Sequence, residues 1–171
     1  IDEDTLVVGT HRADVGGNGN QGAAYVFARN NGGSNHWGEV TKLVASDGGA
    51  DDLFGWTVSV GGDTILVGAK DATVGGTSDQ GAAYVFRRNA GGANNWGQFK
   101  KLTASDGGFR EHFGYSSAIA GDTLFVGAAY AGIDGAYSEG AVYAFARNQG
   151  GIDNWGQAKK IIASDYAPRD H

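Results

Sequence analysis

The chain has 171 residues, the length of one ordinary domain, and carries 13 Lys and Arg against 19 Asp and Glu for a formal charge of −6. With no basic run to neutralise phosphates, nucleic acid is excluded as an expected partner; no stretch approaches the ~20 apolar residues that cross a bilayer, and zero Cys rules out disulfides and thiolate chemistry. The 31 Gly and single Pro suit short strands and tight turns rather than helices, and the lack of any Met leads us to expect a chain processed or excised from a longer one.

An internal period governs every element. Trp37, Trp96 and Trp155, each followed by Gly, are 59 residues apart, and the segment QGAAYVF at Gln21 returns at Gln80 and, as EGAVYAF, at Glu139. No gap is needed, so each copy is expected to carry the same strands and loop lengths. The predicted organisation is one segment over 1–171, with repeats at about 1–53, lacking its first strand, 54–112 and 113–171.

The first copy enters at a B strand ending near Gly9 and runs through the variable loop HRADVGGNGN into strand C, AAYVF. Within that loop Gly17 to Gly22 fits G-x-G-x-x-G, but the dinucleotide motif must open a helix and this one runs into a strand, so it is a turn. The overlapping Gly-rich run also falls short of a calcium-binding nonapeptide repeat, because it occurs once and lacks the Asp. Asn30 to Gly33 turns the chain into strand D, which carries Lys42, and Ser46-Asp47 opens the loop leading to the next copy.

In the second copy strand A, FGWTVSV from Phe54, alternates bulky Phe54, Trp56, Val58 and Val60 with Gly55, Thr57 and Ser59. A crowded position near an axis requires such a face of small residues. Strand B, DTILVGA from Asp63, and strand C, GAAYVFRR from Gly81, are almost continuously apolar, which predicts burial on both faces. Strand D, QFKKLTAS from Gln98, interrupts its apolar residues with Lys100 and Lys101, the device of a guarded outer edge. The third copy repeats this order from Phe113. Four antiparallel strands running from A inside to D outside are the layout of a β-propeller blade, so the fold class is all-β, with three blades that form part of a propeller or complete one as an oligomer.

The pairing of Phe54-Gly55 with Gly68-Ala69, repeated as Phe113-Gly114 with Gly127-Ala128 and kept in part as Gly9-Thr10, resembles the FG-GAP repeat of integrin α-subunit propellers. That resemblance implies a non-enzymatic recognition or adhesion module with a protein or glycan partner, in an extracellular or cell-surface setting. The family's Asp-rich calcium loop between strands A and B does not carry over: Gly61-Gly62-Asp63 and Ala120-Gly121-Asp122 hold too few oxygens for a cation that takes six to eight. Asp4, Asp63 and Asp122 are read as turn residues, and no cofactor is expected. Calcium is kept only as an alternative through the D–A loop acids Asp47, Asp52, Asp106 and Glu111, with Asp165 and Asp170 in the third copy; a turn role is preferred for them.

The four histidines contain no H-E-x-x-H pair and no G-x-S-x-G elbow occurs, so the histidines are read as surface residues and Ser46, Ser105 and Ser164 as turn or capping residues. The repeated Trp could stack on sugars, though packing between blades is the preferred reading. In an up-and-down blade the copy-variable B–C loops emerge beside the D–A loops. The candidate ligand-binding residues on that face are Arg12, Asp14, Lys70, Asp71, Asp79, Tyr130, Asp134 and Glu139. A sugar-binding lectin and a self-assembling structural repeat are the alternatives. Three blades leave open edges, so a homo-oligomer or a longer repeat chain is expected.

Overall fold

A computed structural model of the chain describes residues 1–132 and 139–164. Eleven strands form three antiparallel sheets, one per copy. The first holds β1 (Thr5–Thr10), β2 (Ala23–Arg29) and β3 (Trp37–Leu43). The second holds β4 (Phe54–Gly61), β5 (Thr64–Ala69), β6 (Ala82–Arg88) and β7 (Trp96–Leu102) in sequence order. The third repeats that order with β8 (Phe113–Ala120), β9 (Thr123–Ala128), β10 (Ala141–Arg147) and β11 (Trp155–Ile161). The strand order A-B-C-D expected for a propeller-type blade is the one observed. Strand D begins at Trp96, two residues earlier than its apolar pattern showed.

Period-2 geometry explains why the middle sheet is apolar on both faces. Ile65, Val67, Tyr84 and Phe86 pack toward blade 1 in a cluster with Val7, Val26 and Leu43. Their neighbours Leu66, Ala83 and Val85 point the other way and join Leu124, Val126 and Tyr143 of blade 3. Two cores thus lie between blades, and blade 2 belongs to both. Two of the recurring Trp fill equivalent joints: Trp96 joins the cluster with blade 1 and Trp155 the cluster with blade 2, at 5% and 1% exposure. Trp37, with no blade packed on its side, is 36% exposed. Trp96 and Trp155 are wedges between blades rather than open stacking platforms.

Strand A departs from simple pairing. Phe54 pairs with Ala69 and Thr57 with Gly68, so Gly55 and Trp56 bulge out, and Gly114 and Tyr115 repeat the bulge in β8. Phe54 itself stays in the core, edge-on to Tyr84 and Phe86. It also bridges in parallel to Gly22 of the preceding blade, as Phe113 does to Gly81. Val58 and Val60 face the same cluster as Phe54, but Trp56 leaves that row because it stands in the bulge. The small face expected of strand A holds: Thr57 and Ser59 place their hydroxyls 3.0 Å from the Ser117 hydroxyl of the next blade.

Polar clamps then tie each blade to the next, and they revise several readings. Ser46, Ser105 and the Asp after each are not simply turn residues. Asp47 accepts hydrogen bonds from the Tyr84 hydroxyl (2.9 Å) and Lys101 (2.7 Å) of blade 2, while Ser46 exchanges a pair of bonds with the Gln98 amide. Asp106 with Tyr143 and Lys160, and Ser105 with Gln157, repeat the clamp between blades 2 and 3. The lysines of strand D therefore serve blade stacking as well as edge protection. At the opposite end Asp63 takes Arg88 at 2.6 Å, Asp4 takes Arg29 and Asp122 takes Arg147, so these turn acids are ion-paired to strand C.

Candidate functional site: the loop face

The B–C and D–A loops are sewn into one surface by backbone hydrogen bonds. In blade 1 the amides of Asp51, Leu53 and Phe54 donate to the carbonyls of Gly19, Asn20 and Gln21; in blade 2 Arg110, His112 and Phe113 donate to Ser78, Asp79 and Gln80. The B–C loops of blades 1 and 2 are themselves small hairpins, closed by the reciprocal bridges Val15–Asn18 and Val74–Thr77. The recurring second acids lie inside this fabric. The Asp52 carboxylate accepts the Gly49 amide at 2.7 Å, and the Glu111 carboxylate accepts the Gly132 amide at 3.2 Å.

Where blades 2 and 3 meet on this face, aromatic and charged side chains converge. The bulge lifts Trp56 between His11 of blade 1 (ring centroids 5.0 Å apart) and Tyr115 of blade 3 (5.6 Å), with the Lys70 ammonium 4.5 Å from its ring centre. Lys70 also binds both oxygens of Asp71 at 2.7 Å, and Asp71 holds His112 Nδ1 at 2.7 Å. The His112 ring meets Tyr130 edge-on at 5.3 Å, and Tyr130 in turn meets Tyr115. Tyr115 and Tyr130 are exposed, whereas Lys70, Asp71 and His112 are largely buried, so a fixed ionic floor lies beneath two open aromatic rings.

Of the candidates named from sequence, Lys70, Asp71 and Tyr130 are brought together here. Arg12 and Asp14 are exposed on blade 1, where Asp14 accepts the Asn20 amide and so braces its own loop. The Asp79 side chain pairs with Arg110 at 3.5 Å, while its carbonyl accepts the His112 amide. Glu139 lines a separate cleft on blade 3, and Asp134 lies outside the described residues. Sequence reasoning missed Trp56, Tyr115 and His112. The repeated aromatic directly after Phe-Gly was the available signal for the first two.

The electrostatics set the D–A acids apart from one another. Burial would raise Asp47, but hydrogen bonds from Lys101 and Tyr84 outweigh it and hold the carboxyl below the usual range; Asp106 is lowered in the same way by Lys160 and Tyr143. Burial dominates at Asp52 and pushes its pKa up. With Asp47 and Asp106 already saturated by cationic and hydroxyl donors, the acids do not form one chelating set. No group of three or more His, Asp or Glu side chains with metal-binding geometry occurs among the described residues.

Stacked antiparallel sheets, of which the two four-stranded ones each seat their first strand on the preceding blade through a Phe-Gly bulge, define a propeller-type repeat module. The FG-GAP repeat family model matches residues 37–86 and 96–145, more than half of the chain. The chain belongs to the FG-GAP repeat family. Each matched segment runs from a D strand through the A, B and C strands of the next blade, so the family unit spans the joint between sheets. A search of curated proteins returned no match. No helix is long and apolar enough to cross a membrane among the described residues.

Proposed function

We propose that the chain is a non-enzymatic recognition or adhesion module, acting outside the cell or at its surface, that binds a protein or glycan partner through the B–C and D–A loop face. FG-GAP repeats build propeller-type modules that commonly work by recognition, which supports the general class. The observation that carries the choice of face is the Lys70–Asp71–His112 floor beneath exposed Tyr115 and Tyr130, on loops whose sequence changes in every copy while the frame does not. Aromatic rings beside fixed charges offer stacking area and directional hydrogen bonds without a deep apolar pocket. The sugar-binding alternative uses the same rings.

The test uses beads coated with the protein on a panel of immobilised glycans and matrix proteins. Replacing Lys70 to Asp79 with a Gly/Ser loop of equal length should abolish retention, while altering the Asn89 to Gly92 turn at the opposite end should not. The reverse outcome would place the binding surface on the C–D turns and sink this reading.

A further inference from the structure

The two joints between blades share one frame but are filled differently at the end that carries the C–D turns. In the joint of blades 2 and 3, Arg87 pairs with Asp153 and lies over Phe99, its guanidinium 4.9 Å from the ring centre. Lys100 beside it donates to the Asn154 side chain at 2.6 Å and to the Trp155 carbonyl. One repeat earlier, in the joint of blades 1 and 2, the same positions hold Ala28, Asn94, Val40 and Thr41. Two cations, a carboxylate and a ring are thus replaced by four smaller, uncharged side chains. The backbone does not change: Asn94 and Asp153 have φ of 57° and 58°, and their amides donate to the side chains of Asn89 and Asn148 respectively.

The space left between blades 1 and 2 is a cleft of about 340 Å³, with Val26, Ala28, Val40 and Trp96 among its apolar walls and Arg88 and Asn94 among its polar ones. Sheet 1 is closed at this level, since Asp2 bridges to Thr5 as Gly61 pairs with Thr64 in sheet 2. The Arg88 guanidinium stands in the cleft, 4.7 Å from the centre of the Trp96 ring and bonded to the Thr5 hydroxyl at 3.0 Å. It is the one charged group among the lining residues. Among the described residues it pairs with a single carboxylate, Asp63, whereas Arg147 in the other joint pairs with two, Asp122 and Asp153. Asn94 stands where the second carboxylate would be. The cleft therefore presents a guanidinium with room for one more carboxylate, beside aliphatic and aromatic surface.

We infer that this cleft binds a small organic monocarboxylate with an aryl or branched alkyl body. The ligand carboxylate takes the place that the Asp153 carboxylate holds in the other joint, accepting from the Arg88 guanidinium and the Asn94 side-chain amide. Its apolar body fills the space that Arg87 and Phe99 occupy there, against Val26, Val40 and Trp96. A cationic ligand of the same size meets the guanidinium and is rejected. Apolar walls with a few placed polar groups are the usual makeup of small-ligand sites, the walls supplying affinity and the polar groups orientation. The cleft lies at the opposite end from the B–C and D–A loops, so the inference is independent of what those loops bind.

The whole chain is titrated with benzoate, phenylacetate and 4-methylpentanoate, with phenylacetamide and phenethylamine as neutral and cationic controls. The NMR signals of the Trp96 indole N–H, the Arg88 Nε–H and the Asn94 side-chain amide are followed. At least one of the acids is expected to shift all three signals saturably below about 10 mM, at one ligand per chain, with both controls at least about tenfold weaker. Asn94→Asp, which supplies the second carboxylate from the chain itself, should weaken that acid at least about tenfold. The triple variant Ala28→Arg, Val40→Phe, Asn94→Asp, which copies the filled joint, should abolish binding. Asn94 is exposed and its backbone already carries Asp in the third copy, so the single variant gives the answer should the triple one fail to fold. Absence of saturable shifts with all three acids, equal affinity for phenethylamine, or undiminished binding by Asn94→Asp would each overturn the inference.

Discussion

Asp47 and Asp106 each join a Tyr hydroxyl and a Lys ammonium from the neighbouring blade, so one carboxylate orders three side chains across a joint. Their lowered pKa values make this a statement about stability and pH. A carboxyl depressed in the folded state contributes stability that is present above its unfolded value, about 3.9, and is lost as pH falls through the folded one. Asp52 has the opposite sign: its raised pKa means that the buried carboxylate costs stability at neutral pH, and acidification relieves that cost first. Both clamp acids are half exposed, so screening keeps each to about 1 kcal/mol. The double variant Asp47→Asn, Asp106→Asn should be less stable than the parent at pH 7 and lose less on acidification below about pH 4, as urea midpoints between pH 3 and 7 would show. Parallel curves would mean that the clamps contribute nothing.

Strands B and C of blade 2 are the best-buried elements because each alternate residue finds a different neighbour, whereas the outer blades cover only one face. The Trp at the start of each D strand reports how filled its joint is. Trp96 carries the guanidinium of Arg88 4.7 Å from its ring centre, and Arg88 reaches Asp63 and Thr5 of blade 1. Trp37 has the Arg29 guanidinium 5.1 Å from its ring centre and is 36% exposed. Trp96→Ala should therefore cost about 3 to 5 kcal/mol, a fall in Tm of roughly 10 °C, while Trp37→Ala should cost about 1 kcal/mol or less. Calorimetry of the two variants checks this, and equal losses would show that Trp37 is covered by something in solution.

Three blades joined only to their neighbours behave as a short one-dimensional array, in which interface terms dominate. The middle blade has two joints and each outer blade one. Native-state hydrogen exchange should be slowest in β5 and β6 and faster by at least about tenfold in β1 and β3. Uniform protection across all three sheets would indicate that the chain opens as one unit, with no separate joints.

The gapless 59-residue repetition, the alternation in strand A and the doubly apolar B and C strands determined the three blades, their strand order and the existence of a variable face. These are local patterns, and a repeat copied without gaps must fold the same way each time. Asp63 was read only as a turn residue, and its ion pair with Arg88, repeated by Asp4 with Arg29 and Asp122 with Arg147, emerged only in the structure. What a residue meets across a joint was decided by the stacking of the sheets. Asp47 reaches Lys101 and Ser46 reaches Gln98 over more than 50 residues of sequence, and periodicity says that such contacts recur but not which atoms make them. The bulge after Phe54 leaves no mark in the hydrophobic pattern, yet it takes Trp56 out of the core row and sets it beside Lys70 and Tyr115. The Asp71–His112 pair likewise exists only once neighbouring blades are packed, because it is a property of the space between sheets rather than of any strand.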